Sequence, residues 1–113
     1  MDFAVTLDNG TAVVKTNVEK LNASNASELK AELVQINKNS VNNIVIDMSK
    51  TKYCDSSGLS AILVANRLCK DTNGKFVLCG LQSNVQKLIE IAQLDRVLNI
   101  TTSELDAIAV IEK

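Results

Sequence analysis

The chain contains 113 residues, of which 46% are hydrophobic and 22% charged, and its formal net charge is −1. This composition predicts one globular domain over residues 1–113, and the slight negative charge with one Tyr, two Phe and no Trp argues against nucleic-acid binding. No stretch approaches the roughly 20 apolar residues of a membrane span, and the first residues lack a secretory pattern, so we expect a cytoplasmic protein with no membrane partner.

The N-terminal residues predict a β-hairpin. Apolar and polar residues alternate over 3–7, a turn sequence follows at Asp8-Asn9-Gly10, and an apolar run resumes at Ala12-Val13-Val14. Two antiparallel strands joined by a tight turn are therefore expected here.

A helix and a buried strand are predicted next. Asn25 followed by Glu28 resembles a capping box, and an apolar stripe at helical spacing predicts a helix over 25–38. Its inward residues are expected to be Ala26, Leu29, Leu33 and Ile36. The uninterrupted run Ile44-Val45-Ile46 predicts a strand over 43–48 that is covered on both faces.

The second half of the chain continues the alternation of helices and strands. Apolar residues from Leu59 to Cys69 recur at helical spacing and predict a helix. A strand at 76–79, a helix from Ser83, a short strand at 97–100 and a last helix from Ser103 are expected after it. Ser83 with Gln86 resembles a second capping box. The residues expected to face inward are Leu59, Ile62, Leu63 and Cys69 in the first of these helices, Val85, Leu88, Ile89 and Ala92 in the second, and Leu105, Ile108 and Ala109 in the last.

The element order β-β-α-β-α-β-α-β-α specifies the fold class. Parallel strands joined by helical crossovers need helices packed against the sheet, and the N-terminal hairpin adds one antiparallel pair. We therefore predict an α/β domain with a mixed, mostly parallel sheet of about five strands and about four amphipathic helices.

The residues that most catalytic and metal sites require are missing. The chain has no histidine, so a serine nucleophile would lack its usual base, and Cys54, Cys69 and Cys79 show no CxxC spacing for zinc. The common phosphate-binding loops GxxxxGK[ST] and GxGxxG are absent as well. We expect no metal, no cofactor and no enzymatic activity, and interpret the cysteines as structural or incidental thiols.

The stretch Asp55-Ser56-Ser57-Gly58-Leu59 stands where the buried strand passes over to a helix. One interpretation is an ordinary helix start, because Asp and Ser are favoured N-cap residues. The other is a phosphorylatable switch: if Asp55 or Ser56 caps the helix, Ser57 has a spare hydroxyl in the first turn. Gly58 would then leave room for the backbone of another protein.

With this motif the chain resembles the STAS-domain family, specifically the bacterial anti-sigma factor antagonists, whose Asp-Ser-Ser-Gly-Leu signature is complete here. The resemblance extends over essentially the whole chain, including the strand entry Gly74-Lys75-Phe76 and the helix segment 85–88. It implies that Ser57 is the phosphoacceptor and that the partner surface comprises Asn22, Asp55, Ser56, Ser57, Gly58 and Leu59.

The resemblance also implies a partner-switching cycle. The unmodified protein would bind an anti-sigma factor that is also an ATP-dependent serine kinase, which releases the sigma factor. The kinase would then phosphorylate Ser57 and free itself, and a metal-dependent serine phosphatase would restore the active form. A docking subunit of a membrane transport complex and a scaffold in a signalling assembly are the alternatives, although the intact double serine favours the antagonist.

Two positions depart from the family's pattern. The antagonists commonly carry an Asp near the phosphorylation site in the loop before the first helix, where this chain has Asn22. Recognition by the kinase is expected to differ accordingly. A family Gly near the end of the third helix is replaced by Gln93, which is expected to alter only a helix cap.

Overall fold

The structure, a computed structural model, describes residues 2–113. Its strands are β1 (Phe3–Asp8), β2 (Thr11–Thr16), β3 (Lys20–Leu21), β4 (Asn43–Asp47), β5 (Tyr53–Cys54), β6 (Phe76–Cys79) and β7 (Asn99–Thr101). Its α-helices are α1 (Ala26–Lys38), α2 (Ser56–Asp71), α3 (Ser83–Ile91) and α4 (Glu104–Glu112), and a 3-10 turn covers Leu94–Arg96.

Five strands form one mixed sheet in the order β1-β2-β4-β6-β7. The β1–β2 pair is antiparallel and the other three pairs are parallel, which confirms the predicted fold class. The hairpin turn has positive φ at both Asn9 and Gly10, as expected for an Asn-Gly turn whose twist matches that of the strands.

Helices cover both faces of the sheet. Inward residues of α1, α2 and α3 share the main core with alternate residues of β2, β4 and β6, such as Val14, Ile46 and Leu78. The residues between them, Val13, Val45 and Val77, face the other side and pack under α4. The sheet is therefore buried on both faces, as the apolar run in β4 predicts.

Four predicted inward positions are wrong, and two of them lie in α4. Its buried side is formed by Ala107 with Ile108, Val110 and Ile111, whereas Leu105 is 83% exposed and Ala109 is exposed. The helix is apolar around most of its circumference, so periodicity alone does not select the covered side. The other two are Leu63 in α2 and Ala92 at the end of α3, both of which are exposed.

Element boundaries differ from prediction after α3. The chain turns through the 3-10 segment, where the amides of Val97 and Leu98 donate to the Leu94 carbonyl, so β7 begins only at Asn99. Ala92 is the exposed C-cap of α3, and Gln93 adopts a left-handed conformation at φ 60°. Gln93, which stands where the family has a glycine, thus lies just after the end of α3, as expected.

Two predicted capping boxes are also wrong. The side chain of Asn25 does not cap α1. Its Oδ1 accepts from the backbone N–H of Asn22, and its Nδ2 donates to the Lys20 carbonyl. α3 begins at Ser83 with Gln82 as its N-cap and without a side-chain cap. The predicted start of α4 is correct, because Ser103 Oγ accepts from the Asp106 amide at 3.2 Å.

Within residues 2–113 no helix combines the length and apolar character that crossing a bilayer requires.

Candidate functional site

The Asp55–Leu59 motif occupies the connection between β5 and the start of α2. β5 is half of a two-residue parallel ladder with β3, in which Lys20 pairs with Tyr53 and Leu21 with Cys54. The sequence did not predict this ladder, because two residues are too few to show a strand period. It joins the loop before α1 to the loop before α2, so both helix N-termini lie at the same end of the domain.

A buried hydroxyl pair fixes the loop that leads into the motif. Thr16 Oγ1 and Thr51 Oγ1 lie 2.7 Å apart, and Thr51 Oγ1 also donates to the Val18 carbonyl at 2.8 Å. The amides of Lys52 and Tyr53 both donate to the Glu19 carbonyl. These bonds anchor residues 51–53 to the chain that follows β2, so the motif starts from a fixed point.

Asp55 is the N-cap of α2. It has an extended backbone, and its Oδ1 accepts from the Gly58 amide at 3.1 Å. The cap therefore uses the carboxylate and leaves the hydroxyls of Ser56 and Ser57 outside it, at the first and second positions of the helix. The stretch is therefore a helix start, as the first interpretation holds, and the cap leaves the hydroxyls of both serines free for the modification that the second interpretation requires.

Gly58 is buried because the chain itself passes close to it. A Cβ atom at this position would lie 2.5 Å from Cys54 Sγ and 2.8 Å from the Leu21 carbonyl oxygen. The expectation that this space admits a partner's backbone is therefore wrong, since Leu21 and Cys54 already fill it. The glycine instead allows α2 to start directly against the β3–β5 ladder.

Ser57 is half-buried and lines an open groove of about 410 Å³ between α1 and α2. Ser56, which is exposed, and Ser60 line the same groove from α2. Across it, α1 contributes Ser27 and Lys30. Sequence reasoning did not identify Lys30; the available signal was a lysine beside the buried stripe of α1 with no acidic residue three or four positions away.

Asn22 and Asp55 lie together on a neighbouring groove of about 220 Å³. Asn22 Oδ1 accepts from both the amide and the hydroxyl of Ser24, at 3.0 and 2.6 Å, so it organises the loop before α1. Tyr53 lines this groove as well, 46% exposed, with Lys20 Nζ 6.0 Å from its ring centroid. Asn22 is thus next to the motif, as predicted, but on the Asp55 side rather than in the Ser57 groove.

Leu59 completes the motif from inside. It is half-buried and packs against the main core. Leu59 therefore contributes less to the surface than the serines do, and its packing holds the motif against the core.

The three cysteines are thiols at neutral pH. Burial raises the pKa of Cys54 to about 12, and the charge of Asp55 adds to that effect. Burial likewise raises the pKa of Cys69 to about 11 and that of Cys79 to about 12. A protonated thiol is a poor nucleophile and a poor metal ligand, and residues 2–113 contain no group of three Cys, Asp or Glu side chains arranged for a metal ion.

A pair of interacting carboxyls lies on the opposite face of the sheet. Hydrogen bonding with Asp47 raises the pKa of Glu104, and burial adds to it. Burial also raises the pKa of Asp47, but hydrogen bonds with Glu104 and Ser49 outweigh it and hold that pKa below its ordinary value. Glu104 Oε2 also lies 3.6 Å from Lys15 Nζ, and the positive charge of this lysine acts to lower the pKa of both carboxyls.

Residues 3–107, nearly the whole chain, match the family model described as the STAS domain. The chain belongs to the STAS domain family. The family predicted from the Asp55–Leu59 motif is thereby confirmed.

Relatives and solved structures agree with this assignment. Over 73 residues the chain is 33% identical to BtrV of Bordetella bronchiseptica, a candidate anti-sigma factor antagonist, covering 64% of this chain and 62% of BtrV. The chain therefore matches less than two thirds of that relative's length.

Two solved structures share the fold. That of a candidate anti-sigma factor antagonist from Thermotoga maritima has a TM-score of 0.92 at 21% identity, covering 98% of this chain and 95% of its own. The phosphorylated form of the Bacillus cell fate determinant SpoIIAA has a TM-score of 0.75 at 17% identity, covering 96% and 98%. At these identities the likeness concerns the fold alone.

Proposed function

We propose that this STAS protein is an anti-sigma factor antagonist that is switched off by phosphorylation of Ser57. In the unmodified state it binds an anti-sigma factor that is also a serine kinase, and the sigma factor is released. A serine phosphatase reverses the modification. The protein is the substrate and the switch in this cycle, and not an enzyme.

The observation that carries the proposal is the position of Ser57. Its hydroxyl is not used by the α2 cap, because Asp55 provides the acceptor. It lines an open groove rather than the core. A kinase can therefore modify this residue without breaking a hydrogen bond that holds the helix. BtrV and SpoIIAA support the proposal through the function named for the one and the phosphorylated form named for the other.

Electrostatics explain how the modification would act. A phosphate adds about −1.5 to −2 charge at pH 7, and the N-terminus of a helix tolerates negative charge. The fold should therefore survive. A partner seated over the serine would instead have to desolvate that charge, and a loss of about 3 kcal/mol weakens binding more than 100-fold.

The surface around the serine suits protein binding. Ser56, Ser57 and Asp55 provide polar groups, and the partly exposed Tyr53 provides an aromatic ring next to them. Aromatic rings with polar neighbours are typical of interface centres. We place the partner surface over Asn22, Asp55, Ser56 and Ser57, with Gly58 and Leu59 supporting it.

The proposal is tested by mapping phosphate on the protein from its native cells during growth and under stress, followed by binding measurements. The serine-kinase partner recovered from the same cells is titrated with the wild type, Ser57→Ala and Ser57→Asp. We expect phosphate on Ser57, tight binding by Ser57→Ala and loss of at least 100-fold in affinity for Ser57→Asp. Equal affinities for the two variants would refute the switch, and no phosphate in any condition would favour a constitutive docking subunit.

A further inference from the structure

Lys30 is the charged side chain that lines the Ser57 groove. It lies in the second turn of α1, one turn after Ala26, which also lines the groove. Packed helix axes are about 8–10 Å apart, and a lysine carries its ammonium group on a flexible four-carbon stem. An ammonium group on α1 can therefore reach a phosphate that extends from the second residue of α2.

Lys30 has no evident alternative partner on its own helix. The residues three and four positions away are Ala26, Ser27, Leu33 and Val34, none of which is acidic. The ion pair formed within residues 2–113 joins Lys15 to Glu104 on the other face of the sheet. The half-buried Lys30 thus has its charge available at the groove.

We infer that Lys30 holds the phosphate of phosphorylated Ser57 across the α1–α2 groove. This inference rests on the proposed phosphorylation of Ser57 and adds the internal residue that receives the phosphate. A contact between an ammonium group and a phosphate is a charge-assisted hydrogen bond, among the stronger kinds in proteins. The phosphorylated groove would be bridged and closed, so that the phosphate blocks a partner by occupying the groove as well as by its charge.

The contact has a measurable consequence for the phosphate itself. A nearby cation favours the dianion and lowers the second pKa of the phosphate, which is ordinarily about 6. Asp55, the acidic residue next to the serines, opposes this effect equally in every variant that retains it. The difference between variants at position 30 therefore isolates the lysine.

The experiment uses the full chain with phosphoserine incorporated at position 57 during translation, so that no kinase is needed. The second pKa of the phosphate is measured by phosphorus NMR titration in the wild type, Lys30→Gln and Lys30→Arg. Lys38→Gln is the matched control, because Lys38 lies on the same helix about 12 Å further along its axis. Circular dichroism verifies that each variant is folded.

We expect the pKa in Lys30→Gln to be roughly 0.3–0.7 units higher than in the wild type, the range of a partly exposed ion pair. Lys30→Arg and Lys38→Gln should titrate like the wild type, and 1 M salt should reduce the difference. An unchanged titration in Lys30→Gln would overturn the inference. That result would leave the proposed switch intact, since the switch is judged by partner affinity of the Ser57 variants and not by this titration.

Discussion

Substitution of Gly58 by alanine tests the close packing beneath the motif. The new Cβ would lie 2.5 Å from Cys54 Sγ, 2.8 Å from the Leu21 carbonyl oxygen and 3.0 Å from Leu21 Cγ. The carbonyl has little freedom to move, because it accepts from the Asp55 amide at 3.2 Å and belongs to the β3–β5 ladder. Overpacking of this kind costs about 1–3 kcal/mol.

A gain opposes this cost, because alanine is favoured over glycine in a helix by up to about 1 kcal/mol. We therefore expect Gly58→Ala to lower the free energy of unfolding by about 1–2 kcal/mol. In a domain of this size the thermal midpoint would fall by roughly 4–12 °C. Urea denaturation followed by circular dichroism measures the first quantity and a thermal melt the second.

The control is Ser56→Ala, two positions earlier in the same helix, which is exposed and does not supply the cap. Its effect should stay within about 0.5 kcal/mol. Adding Cys54→Ala to Gly58→Ala should recover part of the loss, because it removes the sulfur atom but not the carbonyl contact. A Gly58→Ala protein as stable as the wild type would refute the argument that this glycine is required by close approach.

Three further predictions concern stability and titration. Asp55→Ala should lower the free energy of unfolding in urea by about 1 kcal/mol through loss of the α2 cap, whereas Asp55→Asn should cost far less; equal losses would contradict the cap. Gln93→Gly should raise the free energy of unfolding by about 0.5–1 kcal/mol, because Gln93 has a φ of 60°, in the left-handed region that glycine adopts without strain. The same change at Gln35, which lies within α1, should lower the free energy of unfolding. The hydrogen bond with Asp47 raises the pKa of Glu104, so the stability that protonated Glu104 contributes is lost as the pH rises through the pKa of Glu104 in the folded protein. Asp47→Asn should lower this pKa in an NMR titration, and an unchanged pKa would contradict the interaction between the two carboxyls.

The sequence was sufficient for the order of the four helices and the five strands of the main sheet, and for the motif. Apolar runs such as Ile44–Ile46 and the stripe on α1 are local patterns, and a local pattern is visible without knowledge of what lies against it. A cap acts within three residues of itself, and the sequence accordingly predicts the Ser103 cap and a cap of α2 at Asp55 or Ser56. The choice of Asp55, and the absence of a side-chain cap at the starts of α1 and α3, were decided by the structure.

Features that depend on contacts between distant segments were decided only by the tertiary structure. Lys30 and Ser57 are 27 positions apart by their residue numbers, and only the packing of α1 beside α2 brings them to one groove. The sequence suggests free space at Gly58, whereas Leu21 of the earlier strand β3, together with Cys54, fills that space. In α4, likewise, the sheet selects the side with Ala107 over the side with Leu105. A side-chain period tells which residues of an element share a face, but the segment that covers that face is determined by the packing of the whole chain.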